Sequence, residues 1–317
     1  MSTSPAPPPV APHRGLARRG ALRRALWVGL WVLAGHAQAA AKAGPAPGPC
    51  GMLLSRLPGV TQEECSGARL VPSGGHSHQG RPLYWRDLPV ARPVPGPPAQ
   101  PLRVLVVGAI HGDEPTSASL ALQWIAQAEA ARRNVHWRFV PVLNPDGLLA
   151  RPPTRTNARG VDLNRNFQTP GWAQEAPRHW EQRTRKNPRR WPGPAPLSEP
   201  ESQFLQRQIE SFAPQLVVSI HAPYGVLDFD GPHPPPQRLG RLRLHQVGVF
   251  PGSLGHYGGV QQGLPVVTIE LTHALKMPNA AQVQAMWRDL LRWMDTHLAA
   301  QLPARAASRH GAPPRVQ

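Results

Sequence analysis

The chain has 317 residues, 40% of them apolar, with a formal net charge of +17 and two cysteines. That length and composition support one large cored domain or two small ones, and two cysteines exclude a thiolate zinc site. The 41 prolines and 29 glycines are denser in the first hundred residues and the last seventeen than in between, which marks irregular ends around an ordinary middle rather than a uniformly disordered protein.

Residues 1–40 predict an export signal. Arg14, Arg18, Arg19, Arg23 and Arg24 precede the apolar stretch Ala25–Gly35 with no acid among them, and Ala37-Gln38-Ala39 offers small residues for cleavage. Eleven apolar residues are too few for a mature membrane span. The competing reading is an uncleaved anchor; Gly20-Ala21-Leu22 after the arginine pair makes a twin-arginine signal weak. The expectation is a periplasmic or secreted protein with no stable membrane insertion after cleavage. In such a compartment Cys50 and Cys65 are expected to form a disulfide, the alternative being two free thiols. Residues 41–101 read as an N-terminal arm with a short strand near 80–85, ending in the Pro-rich linker 91–101.

The main domain is expected over residues 102–300. Leu102–Val107 is a buried strand by its β-branched residues, Thr116–Ala131 a helix, and Val135–Leu143 a second strand closed by the turn Asn144-Pro145-Asp146-Gly147. Residues 168–198 read as a surface insertion. A helix opens at Ser198-Glu199-Pro200-Glu201, Leu216–Ile220 and Leu264–Leu271 are further strands, and 279–300 is a closing helix, with a flexible basic tail over 301–317. This alternation predicts a single α/β domain, a mixed and mostly parallel central sheet with helices on both faces. Sites in such sheets gather at the carboxyl ends of strands.

Four fragments with chemistry lie at or near such ends: His111-Gly112-Asp113-Glu114, the string 160–167 (GVDLNRNF), His221 and Glu270. A catalytic zinc takes three protein ligands and leaves a position open. His111, Glu114 and His221 are candidates for the three, although an HxxE spacing alone is weak and a single His after a strand is ordinarily a core residue. Glu270 lies within an apolar strand, where an acid is costly unless paired or functional; burial raises its pKa toward that of a general base, and the competing reading is a buried salt bridge. Asn164 and Arg165 suit a terminal carboxylate. Arg155 is the candidate for polarising a carbonyl, with Arg151 and Arg159 as rivals. The basic run 183–190 reads as a solvated loop, and without interleaved aromatics no nucleic-acid partner is expected.

Taken together, HGDE, NPDG, GVDLNRNF, the later SIHA and TIEL resemble the zinc carboxypeptidase (funnelin) family over roughly residues 74–300, in an arrangement similar to its murein peptide amidase A branch. The resemblance implies one zinc on His111, Glu114 and His221, Glu270 as base, Asn164 and Arg165 on the substrate carboxylate and Arg155 at the oxyanion. It leaves a capping tyrosine without an obvious counterpart, the alternatives being Tyr257, His256 or no substitute at all, and it places Leu254-Gly255 where basic-specific members carry an acid. Leu254 and Tyr257 are thus the expected specificity residues, and a plain lysine or arginine carboxypeptidase is disfavoured. The expected substrate is a small peptide, with the γ-D-glutamyl–diaminopimelate bond of cell-wall fragments first. Rival readings are a zinc acyl-amino-acid deacylase and a non-catalytic wall-binding protein.

Overall fold

The computed structural model describes residues 48–90, 100–131 and 133–298. The expected export signal, most of the Pro-rich linker and the expected basic tail lie outside the described residues.

A seven-stranded sheet runs in the order β1 (Val71–His76), β2 (Pro82–Leu88), β4 (Val135–Val140), β3 (Leu102–Val107), β5 (Leu216–His221), β9 (Val266–Glu270), β6 (Leu227–Asp230). Its centre consists of β3, β4, β5 and β9, joined in parallel. Strands covered on both faces read as continuous apolar runs; every residue of β5 is buried. The two faces divide their residues by period two. Val104, Val106, Val218, Ile220, Val267 and Ile269 join one core cluster. Leu105, Val107, Val217 and Val266 join the other.

Helix α3 (Pro115–Ala131) and the last helix, α7 (Ala280–His297), cover the first face with Trp124, Ile125, Trp287 and Leu290. The short helices α1 (Pro49–Leu53) and α2 (Gln62–Gly67) lie on that side too, joined by the Cys50–Cys65 disulfide. Phe204, Leu205 and Ile209 of α6 (Pro200–Phe212) fill the second face. A two-strand hairpin, β7 (Arg238–Leu239) with β8 (Leu242–Arg243), sits against α7. Among the described residues no helix is long and apolar enough to cross a membrane.

The expected boundary at residue 102 moves. β1 (Val71–His76) and β2 (Pro82–Leu88) are antiparallel strands of the same sheet, β2 pairing with β4. The strand expected near 80–85 is part of β2, while β1 escapes a pattern reading because it is the sheet's edge and none of its residues is fully buried: an edge strand shows little apolar signal. Their hairpin is tied to the Asn144–Gly147 turn by Asp146, which accepts from Ser77 Oγ at 2.8 Å and from Gln79 N–H at 2.9 Å. That turn opens the short helix α4 (Pro145–Leu149), with Asn144 as its cap.

Candidate metal centre and substrate cleft

Past β3 the chain turns sharply to His111. A Cβ on Gly112 would overlap the backbone of Gly147 and Leu148, so only glycine lets this turn press against α4. His221 is the last residue of β5. Its Nδ1 stands 3.2 Å from His111 Nδ1 and 3.2 Å from Glu114 Oε2, while His111 Nδ1 lies 2.9 Å from Glu114 Oε1. The second nitrogen of each ring is held from behind: His111 Nε2 by Asp162 at 3.1 Å and His221 Nε2 by the Ser219 hydroxyl at 2.9 Å. Such outer contacts select the tautomer whose lone pairs point inward. Burial would raise the Glu114 pKa, but His111 and His221 outweigh it and hold the carboxyl well below the usual range. Burial would lower that of His221, and the Glu114 partnership raises it instead.

These donors suit one metal ion. Two ligands at about 2.0–2.1 Å from a tetrahedral zinc lie roughly 3.3 Å apart, close to the 3.2 Å between the two imidazole nitrogens. His111, Glu114 and His221 are all buried, with ligand atoms within 4.8 Å of one another. The histidine and carboxylate donors match zinc chemistry.

Glu270 ends β9 and is the register partner of His221. Adjacent parallel strands therefore deliver a metal-ligand candidate and a carboxylate side by side. Burial raises the Glu270 pKa; His221 opposes this and Glu114 adds to it. Its Oε2 is buried without a hydrogen-bond partner, an unusual state for a carboxylate oxygen.

Arg155 reaches the same corner. Its Nε and Nη2 each donate to Asp162 Oδ2 at 3.0 Å, and its Nη1 lies 3.1 Å from His111 Nδ1 and 3.5 Å from Glu114 Oε1. Asn144 fixes the backbone beneath it, donating from Nδ2 to the Arg155 carbonyl at 3.2 Å. Arg151 and Arg159 do not line the cleft, and Arg159 pairs with Glu199 at 3.4 Å.

Asn164 and Arg165 sit on a single 3-10 turn, Leu163–Arg165. Asn164 Oδ1 accepts from Leu254 N–H at 2.8 Å, and the Arg165 guanidinium lies over the Phe250 ring at 4.5 Å. Gly252, with φ +73° and the Arg165 carbonyl where a Cβ would sit, brings the two loops together. Burial, offset by Asp162 and reinforced by Arg155 and Arg190, lowers the Arg165 pKa to about 10, leaving it a cation at neutral pH.

These groups open onto a cleft of about 500 Å³. Two expected specificity residues are misplaced by sequence reasoning. Leu254 is buried in the second core cluster, and only its backbone N–H meets the site, through Asn164. Tyr257 is buried as well, stacked on Phe167 with its hydroxyl directed at Glu210. Both belong to a run in which packing rather than exposure decides direction. The cleft instead presents Tyr224, 59% exposed, whose hydroxyl accepts from Arg190 Nη2 at 3.3 Å.

Although Leu254-Gly255 stands where basic-specific members carry an acid, acids reach the cleft from another element. Asp228 and Asp230 of β6 (Leu227–Asp230) line it. Gly255 leaves the space that the Asp230 carboxylate fills: a Cβ there would collide with Asp230 Oδ2. Burial, and then Asp228, push the Asp230 pKa up to about 7. The signal was present in the sequence: in Leu227-Asp228-Phe229-Asp230 the apolar residues enter the core and both acids share the opposite face. Asp162, behind His111 and Arg155, had no such signal beyond its place in the quoted string.

A zinc carboxypeptidase model of the M14 peptidases matches residues 59–229, just over half of the chain. Murein peptide amidase A of Escherichia coli K12 is 33% identical over 156 residues, covering 49% of this chain and 60% of that protein's length, so the matched stretch is less than two thirds of that relative. The Vibrio campbellii protein of the same name is 32% identical over 179 residues, covering 53% of this chain and 69% of its own. Carboxypeptidase A from Helicoverpa armigera shares the fold, with a TM-score of 0.53 at 17% identity over 78% of this chain and 72% of that one. With the His-Glu-His cluster at the strand ends, these matches make the chain a member of the zinc carboxypeptidase family.

Proposed function

We propose that this protein is a zinc-dependent carboxypeptidase that hydrolyses an amide bond in small, wall-derived peptides, with the γ-D-glutamyl–diaminopimelate bond as its preferred target. The observation that carries the reading is the Glu270 Oε2 atom, buried and unpartnered, in the same cleft as the His111–Glu114–His221 cluster. When bound, zinc supplies a Lewis acid that polarises the scissile carbonyl and acidifies a water. His111, Glu114 and His221 hold the ion. Glu270 takes the proton of the attacking water and returns it to the leaving amine, for which a pKa raised by burial is suited. Arg155, fixed by Asp162, donates to the developing oxyanion.

Arg165 holds the terminal carboxylate. Asn164, whose Oδ1 is taken by Leu254 N–H, orients that turn and has its amide N–H2 to offer. Asp228 and Asp230 favour a cationic group on the leaving residue, and diaminopimelate carries an ammonium at its far end. Export to the periplasm, as residues 1–40 suggest, puts the enzyme beside its wall substrate.

Mass spectrometry of wall peptides incubated with the zinc-loaded protein tests this. Release of diaminopimelate from the tripeptide is expected, with Glu270→Gln slower by about 10²–10⁴-fold at unchanged zinc content. Cleavage of N-acetyl or N-succinyl amino acids in place of the peptides would select the deacylase reading, and unchanged turnover in Glu270→Gln would remove the assigned base.

A further inference from the structure

Most of the basic run 183–190 is exposed, as a solvated loop would be, but its two ends border the cleft. Arg183 and Arg190 line the cleft beside Arg165, and among the described residues none of the three has a carboxylate within ion-pair distance. Neighbouring cations do find acids: Arg155 pairs with Asp162 at 3.0 Å and Arg189 with Asp113 at 2.7 Å.

The segment is built rather than loose. It follows helix α5 (Trp172–Gln182). Trp180 Nε1 donates to the Asn187 carbonyl at 2.8 Å, the Thr184 hydroxyl donates to the Trp180 carbonyl at 2.6 Å, and Asn187 caps the turn Pro188–Arg190. Phe250 anchors both sides, carrying Arg165 on its face and His179 of α5 at 5.5 Å. His179 lines the same cleft, and its pKa is lowered, first by burial and then by Arg165, Arg183 and Arg190. One terminal carboxylate offsets one of these charges and leaves the other two facing the cleft.

We propose that Arg183 and Arg190 form a second anion subsite, which takes a carboxylate of the substrate other than the terminal one held by Arg165. This rests on the carboxypeptidase reading above. Two groups of a γ-D-glutamyl–diaminopimelate peptide have the required chemistry: the glutamyl α-carboxylate on the acyl side, and the distal carboxylate of the leaving residue.

Two paired measurements on the zinc-loaded protein separate them. Calorimetry compares free meso-diaminopimelate with lysine, which lacks the distal carboxylate. Steady-state kinetics compare γ-D-glutamyl-lysine with its glutamyl α-amide. If the leaving residue supplies the anion, the double variant Arg183→Gln/Arg190→Gln binds diaminopimelate about tenfold more weakly and lysine unchanged. If the acyl side supplies it, KM rises about tenfold for the free acid alone, with kcat intact. The double variant Arg183→Lys/Arg190→Lys is expected to restore much of either loss, because it keeps the charge. Equal losses within both pairs, or none, would overturn the subsite. Amino-acid binding needs no turnover. Absence of all hydrolysis would therefore remove the carboxypeptidase reading and leave calorimetry to judge the arginines, whereas normal hydrolysis with arginine-independent pairs would remove the subsite alone.

Discussion

The two sides of the cleft are made differently. On one side, His111, Glu114, His221 and Glu270 stand at the ends of parallel strands, all buried, with both imidazoles oriented from behind by Asp162 and Ser219. On the other, Arg183 and Arg190 sit on a Pro- and Trp-bearing insertion, the first exposed and the second half-buried, and neither has an acidic partner among the described residues. The buried side has little freedom to change, because His111, Glu114 and His221 are one another's partners and Glu270 is in register with His221. The insertion wall is held by its own tryptophan and asparagine contacts and is free to vary around them. Chemistry thus resides where the sheet's hydrogen bonding fixes position, and substrate choice where a loop presents charge.

The sharpest way to break this contrast is at the metal corner. His221→Ala leaves Glu114 with one imidazole partner; loss of stoichiometric zinc by metal analysis is expected, together with loss of turnover. Full zinc retention would mean that the cluster does not hold the ion. Next comes the junction of the two sides. Arg165→Gln removes a cation poised for a substrate carboxylate, and kcat/KM is expected to fall by about 10–100-fold, mostly through KM. A loss confined to kcat would shift Arg165 to the chemical side of the comparison.

The smallest effect concerns Asp230. A carboxyl whose folded-state pKa is raised to about 7 binds more protons in the folded than in the unfolded chain above its ordinary value near 3.8. Its contribution to stability is therefore full below that value and is lost as pH rises through about 7. Thermal melts between pH 5 and pH 8 are expected to show a smaller decline in Asp230→Asn than in the unaltered protein. Identical declines would mean that Asp230 titrates in its ordinary range.

The sequence by itself determined the parallel core and the convergence of four fragments. A run such as Leu216–Ile220 has to be buried on both faces, and a polar residue at its end has to emerge at the sheet's edge, where His221 and Glu270 meet. Only the tertiary structure decided the rest. It turned Leu254 and Tyr257 inward, because their apolar surfaces are better spent in the core than on the cleft wall. It drew β1 and β2 into the same sheet, β1 through edge pairing that carries almost no side-chain signal. It aimed Asp228, Asp230, Arg183 and Arg190 at one space, from segments whose separation in the chain says nothing of their distance. Side-chain periodicity is local and readable along the chain, whereas the direction of a charge on a loop depends on what packs beneath it.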